Sequence, residues 1–178
     1  MNSHHQSSAN SSLESNEEDM NIVALWLRKD PKRWILGGLI GFVAGLISMA
    51  VGGGIASYYG LQASFPIKLL GTPIIGASAT EFTSSSGFIA GFAVYSFICI
   101  FWGVLYGHFV ASAKFANLLA MGLVWGTFLW VFNWNLYLQS FKLIYAAQVD
   151  SRPAFAVCVV YGFSLALIGF LDRRTEFV

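Results

Sequence analysis

Long apolar stretches alternate with short polar segments along this chain. The apolar stretches run over about residues 34–58, 87–107, 116–136 and 154–171, and none of them contains a charged residue. A helix needs about 20 apolar residues to cross a hydrocarbon core about 30 Å thick. The pattern therefore predicts an all-α integral membrane protein, in which residues 34–178 form a bundle of four transmembrane helices with interfacial helices.

The residues before the first span have a different pattern. Residues 1–19 are polar and low in complexity, which predicts a disordered cytoplasmic tail. Residues 20–33 are interpreted as a juxtamembrane amphipathic helix that is anchored by Trp26 and ended by Pro31. An unstructured tether is the alternative for this segment.

Two connections between spans are too apolar to stand in water. The segment 59–86 is broken by Pro66, Gly71 and Pro73, and it either lies in the outer interface or dips inward against protein. The segment 138–150 is predicted to be an interfacial helix.

Glycines recur at four-residue spacing within three of the spans. This spacing places small side chains on one helix face, so that another backbone can approach closely. The glycines predicted to pack in this way are Gly37, Gly41, Gly45, Gly87, Gly91, Gly103, Gly107, Gly122 and Gly126. Whether the partner helix belongs to the same chain or to another copy stays open.

Composition agrees with a membrane location. The chain is 56% hydrophobic and 11% charged, whereas soluble domains carry about 25% charge. The net charge of +1 indicates no basic surface for nucleic acid. Cys99 and Cys158 both lie in apolar spans and are interpreted as packing residues. No metal-ligand spacing is present in the sequence, and we expect no cofactor.

The lysines and arginines are unequally distributed between the two sides. Seven flank the side that carries both termini and three lie on the other side, if the chain crosses four times. Cytoplasmic loops carry the excess of Lys and Arg. We therefore expect both termini in the cytoplasm and the protein in a bacterial-type cytoplasmic membrane.

Four polar residues near the ends of the spans are candidate contacts. His108 is either an interfacial side chain, which is the favoured interpretation, or a head-group contact, weak proton acceptor or axial ligand. Glu81 is expected to pair with Lys68 or to cap a helix. Asn133 and Asn135 are expected to hydrogen-bond across helices or to an external head group.

The sequence lacks the features that two functional classes require. Proton-coupled multidrug exporters need a carboxylate within a span that binds either a proton or a cation. Membrane enzymes of lipid metabolism present clustered Asp, His or Ser at the interface. The sequence has neither feature, so we expect no enzymatic activity.

Three motifs carry a resemblance to known proteins. They are GLIGFVAGLIS in the first span, YSFICIFWGVLYG in the second and LLAMGLVWGTFLWV in the third. With these motifs, residues 35–175 resemble small uncharacterised four-span inner-membrane proteins of bacteria. The resemblance implies no catalytic residues.

These observations favour a structural or accessory protein that binds the lipid bilayer and self-associates or joins other membrane subunits. The alternative is a small oligomeric transporter or channel for a neutral or apolar solute. A pathway would align the polar groups of the spans around one wet cavity, whereas a scaffold would scatter them as hydrogen bonds between helices. These groups are Ser48, Ser96, Thr127, Asn133 and Ser164.

Overall fold

The computed structural model describes residues 31–109, 115–137 and 151–169, and every regular element in these ranges is helical. The chain divides into two units, residues 1–31 and residues 32–178, and the second unit contains the fold. The predicted tail, nearly all of the juxtamembrane segment and the predicted helix over 138–150 lie outside the described residues.

Five α-helices form the described part of the chain. They are α1 (Pro31–Tyr58), α2 (Phe65–Ile75), α3 (Ser85–Phe109), α4 (Phe115–Phe132) and α5 (Ser151–Leu165). A 3₁₀ turn over Ala77–Thr80 leads from α2 to α3, and a π-helical turn over Asn133–Tyr137 extends α4.

Three of these helices are long and apolar enough to cross a membrane. They are α1, α3 and α4, the last with its extension to Asn135. The prediction of an all-α fold with helices that could span a membrane is therefore confirmed, but four such helices are not found among the described residues.

The predicted fourth span, 154–171, is described only as far as residue 169, and its helix is shorter than those of the other spans. Helix α5 has 15 residues and ends at Leu165, which gives it a length of about 22 Å at 1.5 Å per residue. After Leu165 the backbone tightens, because the amides of Ala166 and Leu167 donate to carbonyls three residues earlier. The helix therefore ends before the apolar run 154–171 does, and a turn follows Leu165 within the run.

The described part of α1 begins at Pro31, before the apolar run that starts at about residue 34. The juxtamembrane helix that Pro31 was expected to end precedes this residue and lies outside the described ranges.

Helices α1 and α3 touch backbone to backbone. A Cβ added to Gly37 would lie 2.5 Å from the carbonyl oxygen of Gly103, and one added to Gly41 would lie 2.8 Å from the Gly103 Cα. Gly107 faces the same stretch of α1, where an added Cβ would lie 3.2 Å from the Gly37 Cα. Real Cβ atoms essentially never come within 3.0 Å of another atom, so the positions of Gly37 and Gly41 require glycine, whereas a side chain at Gly107 would need its neighbours to shift.

One turn further along, the contact becomes one of backbone against side chain. A Cβ added to Gly45 would lie 2.8 Å from the Cys99 sulfur. Both cysteines are free, and Cys99 is buried. Cys99 thus fills the space that Gly45 leaves.

Helices α4 and α5 pair in the same way. A Cβ on Gly122 would meet the carbonyl of Gly162, and one on Gly126 would lie 2.6 Å from the carbonyl oxygen of Cys158. Gly122 and Gly126 were predicted from the sequence as packing residues, whereas Gly162 was not. The sequence does contain a pattern that would predict Gly162, because the small residues Cys158, Gly162 and Ala166 are spaced by four.

The glycines at the start of α3 contact a different partner. A Cβ on Gly91 would meet the carbonyl of Ile67, and one on Gly71 would lie 2.5 Å from the carbonyl oxygen of Gly87. Gly87 also contacts Ala79 of the 3₁₀ turn. Helix α2 therefore lies antiparallel beside the first two turns of α3, so the chain turns back after α1 before it enters α3.

The apolar core lies among α1, α3, α4 and α5. Its buried members are Ile40, Ala44, Cys99, Tyr106, Leu118, Leu129, Tyr161, Leu165, Ala166 and Ile168. Aromatic rings add a contact between α3 and α4, with the Trp102 ring 6.0 Å from Trp125 and 5.2 Å from Phe132. Edge-to-face pairs of this kind stabilise packing by about 0.5–1.5 kcal/mol each beyond area burial.

The close approach of α1 to α3 predicts that glycine substitutions on α1 differ sharply in their effect. Gly41→Leu should lower the melting temperature in detergent, because the new side chain meets α3 backbone that cannot move aside. Overpacking of this kind costs about 1–3 kcal/mol. The measurement is thermal unfolding of the purified protein.

Gly54→Leu is the matched control, because Gly54 lies on the same helix and a Cβ added to it would meet no atom within 4 Å. Equal melting temperatures for the two variants would show that α1 and α3 are not in backbone contact.

Candidate functional site

Lys68 of α2 is buried, with 4% of its surface exposed. Its ammonium donates to Gln62 Oε1 at 2.9 Å, to the Glu81 carbonyl at 2.9 Å and to the Phe82 carbonyl at 2.8 Å. An ammonium has three N–H donors, so each donor has an acceptor. Lys68 therefore ties α2 to the segment that precedes α3.

Glu81 takes part in this arrangement through its backbone. The expected pairing of Glu81 with Lys68 was assigned to the carboxylate, but the main-chain carbonyl is the acceptor, and the Glu81 side chain is exposed. Within the described ranges Glu81 is the one acidic residue. The Lys68 charge is therefore stabilised there by neutral oxygens, which offset the cost of removing an ammonium from water.

Sequence reasoning placed Lys68 in an external loop and missed its burial. The available signal was a single lysine inside the apolar run FPIKLLG. The run alone does not show which acceptors surround it, because Glu81 and Phe82 lie 13 and 14 residues away in sequence.

A serine side chain caps the start of α3. The Ser84 hydroxyl accepts a hydrogen bond from the Gly87 amide at 3.1 Å. This is the bond from an N-cap residue to the third helical residue. The cap fixes the direction in which the chain leaves the Lys68 contacts.

Tyrosine hydroxyls link the helices further along the bundle. Tyr95 donates to the Gly45 carbonyl at 3.0 Å and lies 2.6 Å from the Ser48 hydroxyl. Tyr161 donates to the Cys99 carbonyl at 2.6 Å. These bonds join α3 to α1 and α5 to α3 near the level at which Gly45 meets Cys99.

A third hydroxyl acts in the same way on α4. Tyr106 is fully buried, and it donates to the Leu118 carbonyl at 2.9 Å. Hydrogen bonds between transmembrane helices contribute about 0.6 kcal/mol on average. Each tyrosine thus supports a contact that packing has already made.

His108 lies at the end of α3 and contacts α1. Its Nδ1 accepts a hydrogen bond of 3.0 Å from the Trp34 indole N–H, and the two rings lie edge to face at 5.6 Å. A neutral imidazole that accepts at Nδ1 carries its proton on Nε2. His108 thus links the end of α3 to the start of α1.

The two asparagines that follow α4 lie in its π-helical extension. Asn135 donates to the Val131 carbonyl at 3.0 Å, within its own helix. This bond differs from the bond across helices, or to an external head group, that the sequence led us to expect.

The remaining polar groups of the spans do not meet. Thr127 and Ser164 each donate to a carbonyl four residues earlier in their own helices. Among the described residues the buried Ser96 hydroxyl has no hydrogen-bond partner. Ser48, Thr127 and Ser164 thus make separate contacts within the described ranges.

A shallow groove opens between the end of α1 and the start of α5, with a volume of about 480 Å³. It is lined by Val51, Gly54, Ile55, Tyr58, Tyr59, Arg152 and Pro153. The described residues contain no cluster of His, Cys, Asp or Glu that could hold a metal ion.

No protein-family model, curated protein or solved structure matches the chain.

The three bonds of Lys68 predict a specific cost for its removal. Lys68→Met keeps most of the volume but leaves the Glu81 and Phe82 carbonyls and the Gln62 oxygen without this donor. An acceptor that is left without a partner and away from water costs about 1–3 kcal/mol, and less where water can reach it. We expect a lower melting temperature and faster amide hydrogen exchange over residues 76–84.

Lys32→Met is the control, because Lys32 is an exposed lysine at the other end of the bundle. Unchanged exchange over residues 76–84 in Lys68→Met would contradict the structural role assigned to Lys68.

Proposed function

We propose that this chain is an integral membrane structural or accessory protein, and that it serves as a packing subunit of a larger membrane assembly. The observation that carries the proposal is the use of its intramembrane polar groups. Ser48, Tyr95, Tyr106 and Tyr161 bond one another or backbone carbonyls of neighbouring helices. Such bonds support helix packing and leave these groups occupied.

The outward surface of the spans also supports an assembly. Within the windows that define the spans, 39% of α1, 17% of α3 and 22% of α4 are buried inside the chain. Large side chains point outward on α3 and α4, with Phe97 72% and Val124 62% exposed. These faces are available to lipid and to other membrane subunits, or to a second copy of the chain.

The distribution of charge argues against proton-coupled transport. The three spanning helices contain no carboxylate, and His108 sits at the end of α3 in a bond with Trp34. Proton coupling within a membrane uses a titratable group inside the pathway. The scattered polar contacts likewise favour the packing role over the alternative of a small transporter or channel.

We further propose that the protein lies in a bacterial-type cytoplasmic membrane with both termini in the cytoplasm. The support is the excess of lysine and arginine on the side that carries the termini. This orientation requires an even number of crossings, so the segment that begins with α5 would supply the fourth.

The orientation predicts a labelling pattern for single cysteines in intact cells. Thr83→Cys, in the exposed segment before α3, should react with a membrane-impermeant thiol reagent. His5→Cys and Phe177→Cys should stay unlabelled until the membrane is made permeable. Labelling at position 177 but not at position 5 would mean an odd number of crossings, and the fourth crossing would be lost.

The packing role predicts that the protein co-purifies with defined membrane partners in a gentle detergent, at a fixed stoichiometry. Purified protein in liposomes should move no protons across the bilayer. The measurements are mass spectrometry of the isolated complex and a pH-sensitive dye inside the vesicles.

His108→Ala makes this test discriminating. If the reconstituted protein moves protons and the variant abolishes the movement while it stays folded, the packing role is wrong and the transporter replaces it.

A further inference from the structure

The chain reverses its direction directly after α1. Gly60 has a φ of 75°, which glycine adopts without strain, and the Leu61 amide donates to the Ala56 carbonyl at 2.9 Å. Ala63 then lies against α1, because a Cβ added to Gly53 would lie 3.0 Å from the Ala63 carbonyl oxygen. Gly53 precedes the end of α1 by five residues, or about 7.5 Å of helix. The chain therefore moves back along α1 before α2 begins.

The contact of α2 with α3 gives a second measure of this depth. A Cβ on Gly91 would meet the carbonyl of Ile67, which lies in the first turn of α2. The charge-free run 87–107 of α3 has a length of about 31 Å, which matches a hydrocarbon core of about 30 Å. Gly91 lies four residues inside this run, or about 6 Å. The start of α2 is therefore level with a part of α3 that lies in hydrocarbon.

Charged side chains are nearly absent from this region. Residues 34–113 contain one Lys, one Glu and no Arg or Asp. The Lys is Lys68, which is buried and whose three N–H donors all bond to neutral oxygens. Glu81 is exposed but lies beyond α2, just before α3. The deep end of the segment, around Ala63, therefore presents no charge that needs water.

The outward side chains of the segment are apolar. Leu61 is 48% exposed and Ile74 is 64% exposed, and Ala63 at the deep end is exposed as well. Contact with lipid removes such apolar area from water, which is favourable. The surface of the segment is therefore suited to a hydrocarbon environment.

Backbone polar groups at the reversal are paired within the chain. The amides that donate to carbonyls of the segment or of the end of α1 are those of Tyr59, Gly60, Leu61, Phe65, Ile67 and Lys68. Non-helical backbone at membrane depth is tolerated where its polar groups are satisfied and protein covers it. The reversal approaches this condition through its own hydrogen bonds and its contact with Gly53.

We propose that residues 59–84 form a re-entrant segment of the membrane domain. The chain re-enters the leaflet from which α1 emerges, and α2 carries it back to the surface before α3 crosses. Lipid of this leaflet covers the exposed side chains of Leu61, Ala63 and Ile74. The proposal goes beyond the packing role and requires only that α1 and α3 span the membrane.

Another membrane subunit is the competing occupant of this surface. Continuity with α3 favours lipid. Ile89 is 67% exposed on α3 and lies two residues from Gly91, at the level where α2 begins. The lipid that surrounds α3 at Ile89 therefore reaches the depth of Ala63 without any further partner.

The test uses the full-length, isotope-labelled protein in lipid nanodiscs and needs no substitution. One sample contains lipid with a nitroxide on the acyl chain, and another contains a water-soluble gadolinium chelate. We expect the NMR signals of Ala63 and Ile89 to lose intensity with the nitroxide lipid and to keep it with gadolinium. The exposed Glu81 should show the opposite response, because its carboxylate lies in water.

Two substitutions at Ala63 test the same placement by stability. Ala63→Asp should lower the melting temperature in nanodiscs by about 5–10 °C, since a charged side chain in hydrocarbon is costly. Ala63→Leu should leave the melting temperature unchanged, because lipid accommodates the larger apolar side chain. Ser78→Asp is the control, since Ser78 is an exposed polar residue beyond α2, and it should be tolerated.

Three outcomes would overturn the proposal. If gadolinium weakens the Ala63 signal as much as that of Glu81, the segment lies in water. If neither probe affects Ala63 while the nitroxide lipid affects Ile89, another subunit covers the surface. Equal melting temperatures for Ala63→Asp and Ala63→Leu would show that no hydrocarbon surrounds this position.

Discussion

Contact between backbones at paired glycines is the interaction on which the rest of this structure depends. In lipid the hydrophobic effect does not drive helices together, so their association relies on van der Waals contact and interhelical hydrogen bonds. Gly41 against Gly103 and Gly122 against Gly162 bring two pairs of helices close enough for both. Once α1 lies against α3, the Tyr95 hydroxyl can reach the Gly45 carbonyl. The tyrosine hydrogen bonds form because the helices are already close, and they further stabilise the contact.

The Lys68 contacts stabilise the non-helical backbone that precedes α3. Helix α2 turns back beside the first turns of α3, and non-helical backbone near a membrane is tolerated where protein covers it. The Lys68 ammonium binds the Glu81 and Phe82 carbonyls, which lie in the non-helical segment before α3. Ser84 then caps α3. A single buried charge thus satisfies backbone acceptors that would otherwise need water, and it holds the returning helix in place.

Much of the fold could be predicted from the sequence, and the exceptions have physical causes. Runs without charge predicted α1, α3 and α4, because span length depends on local composition alone. Four-residue spacing identified Gly41 and Gly103 as interface residues. The same spacing did not reveal that Gly87 and Gly91 face α2, since a small-residue row specifies a close neighbour but not which one.

The position of a helix end and the burial of a lysine were also beyond the sequence patterns used. Helix α5 stops at Leu165 inside an apolar run, where no proline or charge marks the end. Lys68 is buried by residues distant in sequence. At the candidate site, His108 was recognised as a polar contact, but its partner Trp34 depends on how the helices pair.

The most direct test of the glycine-mediated bundle is a solid-state NMR measurement in lipid bilayers of the contact between the Cα atoms of Gly41 and Gly103. The structure predicts a direct cross-peak that persists when labelled protein is diluted with unlabelled copies, because both residues belong to one chain. Loss of the cross-peak on dilution would assign the contact to two different chains. Its absence at every dilution would contradict the packing of α1 on α3.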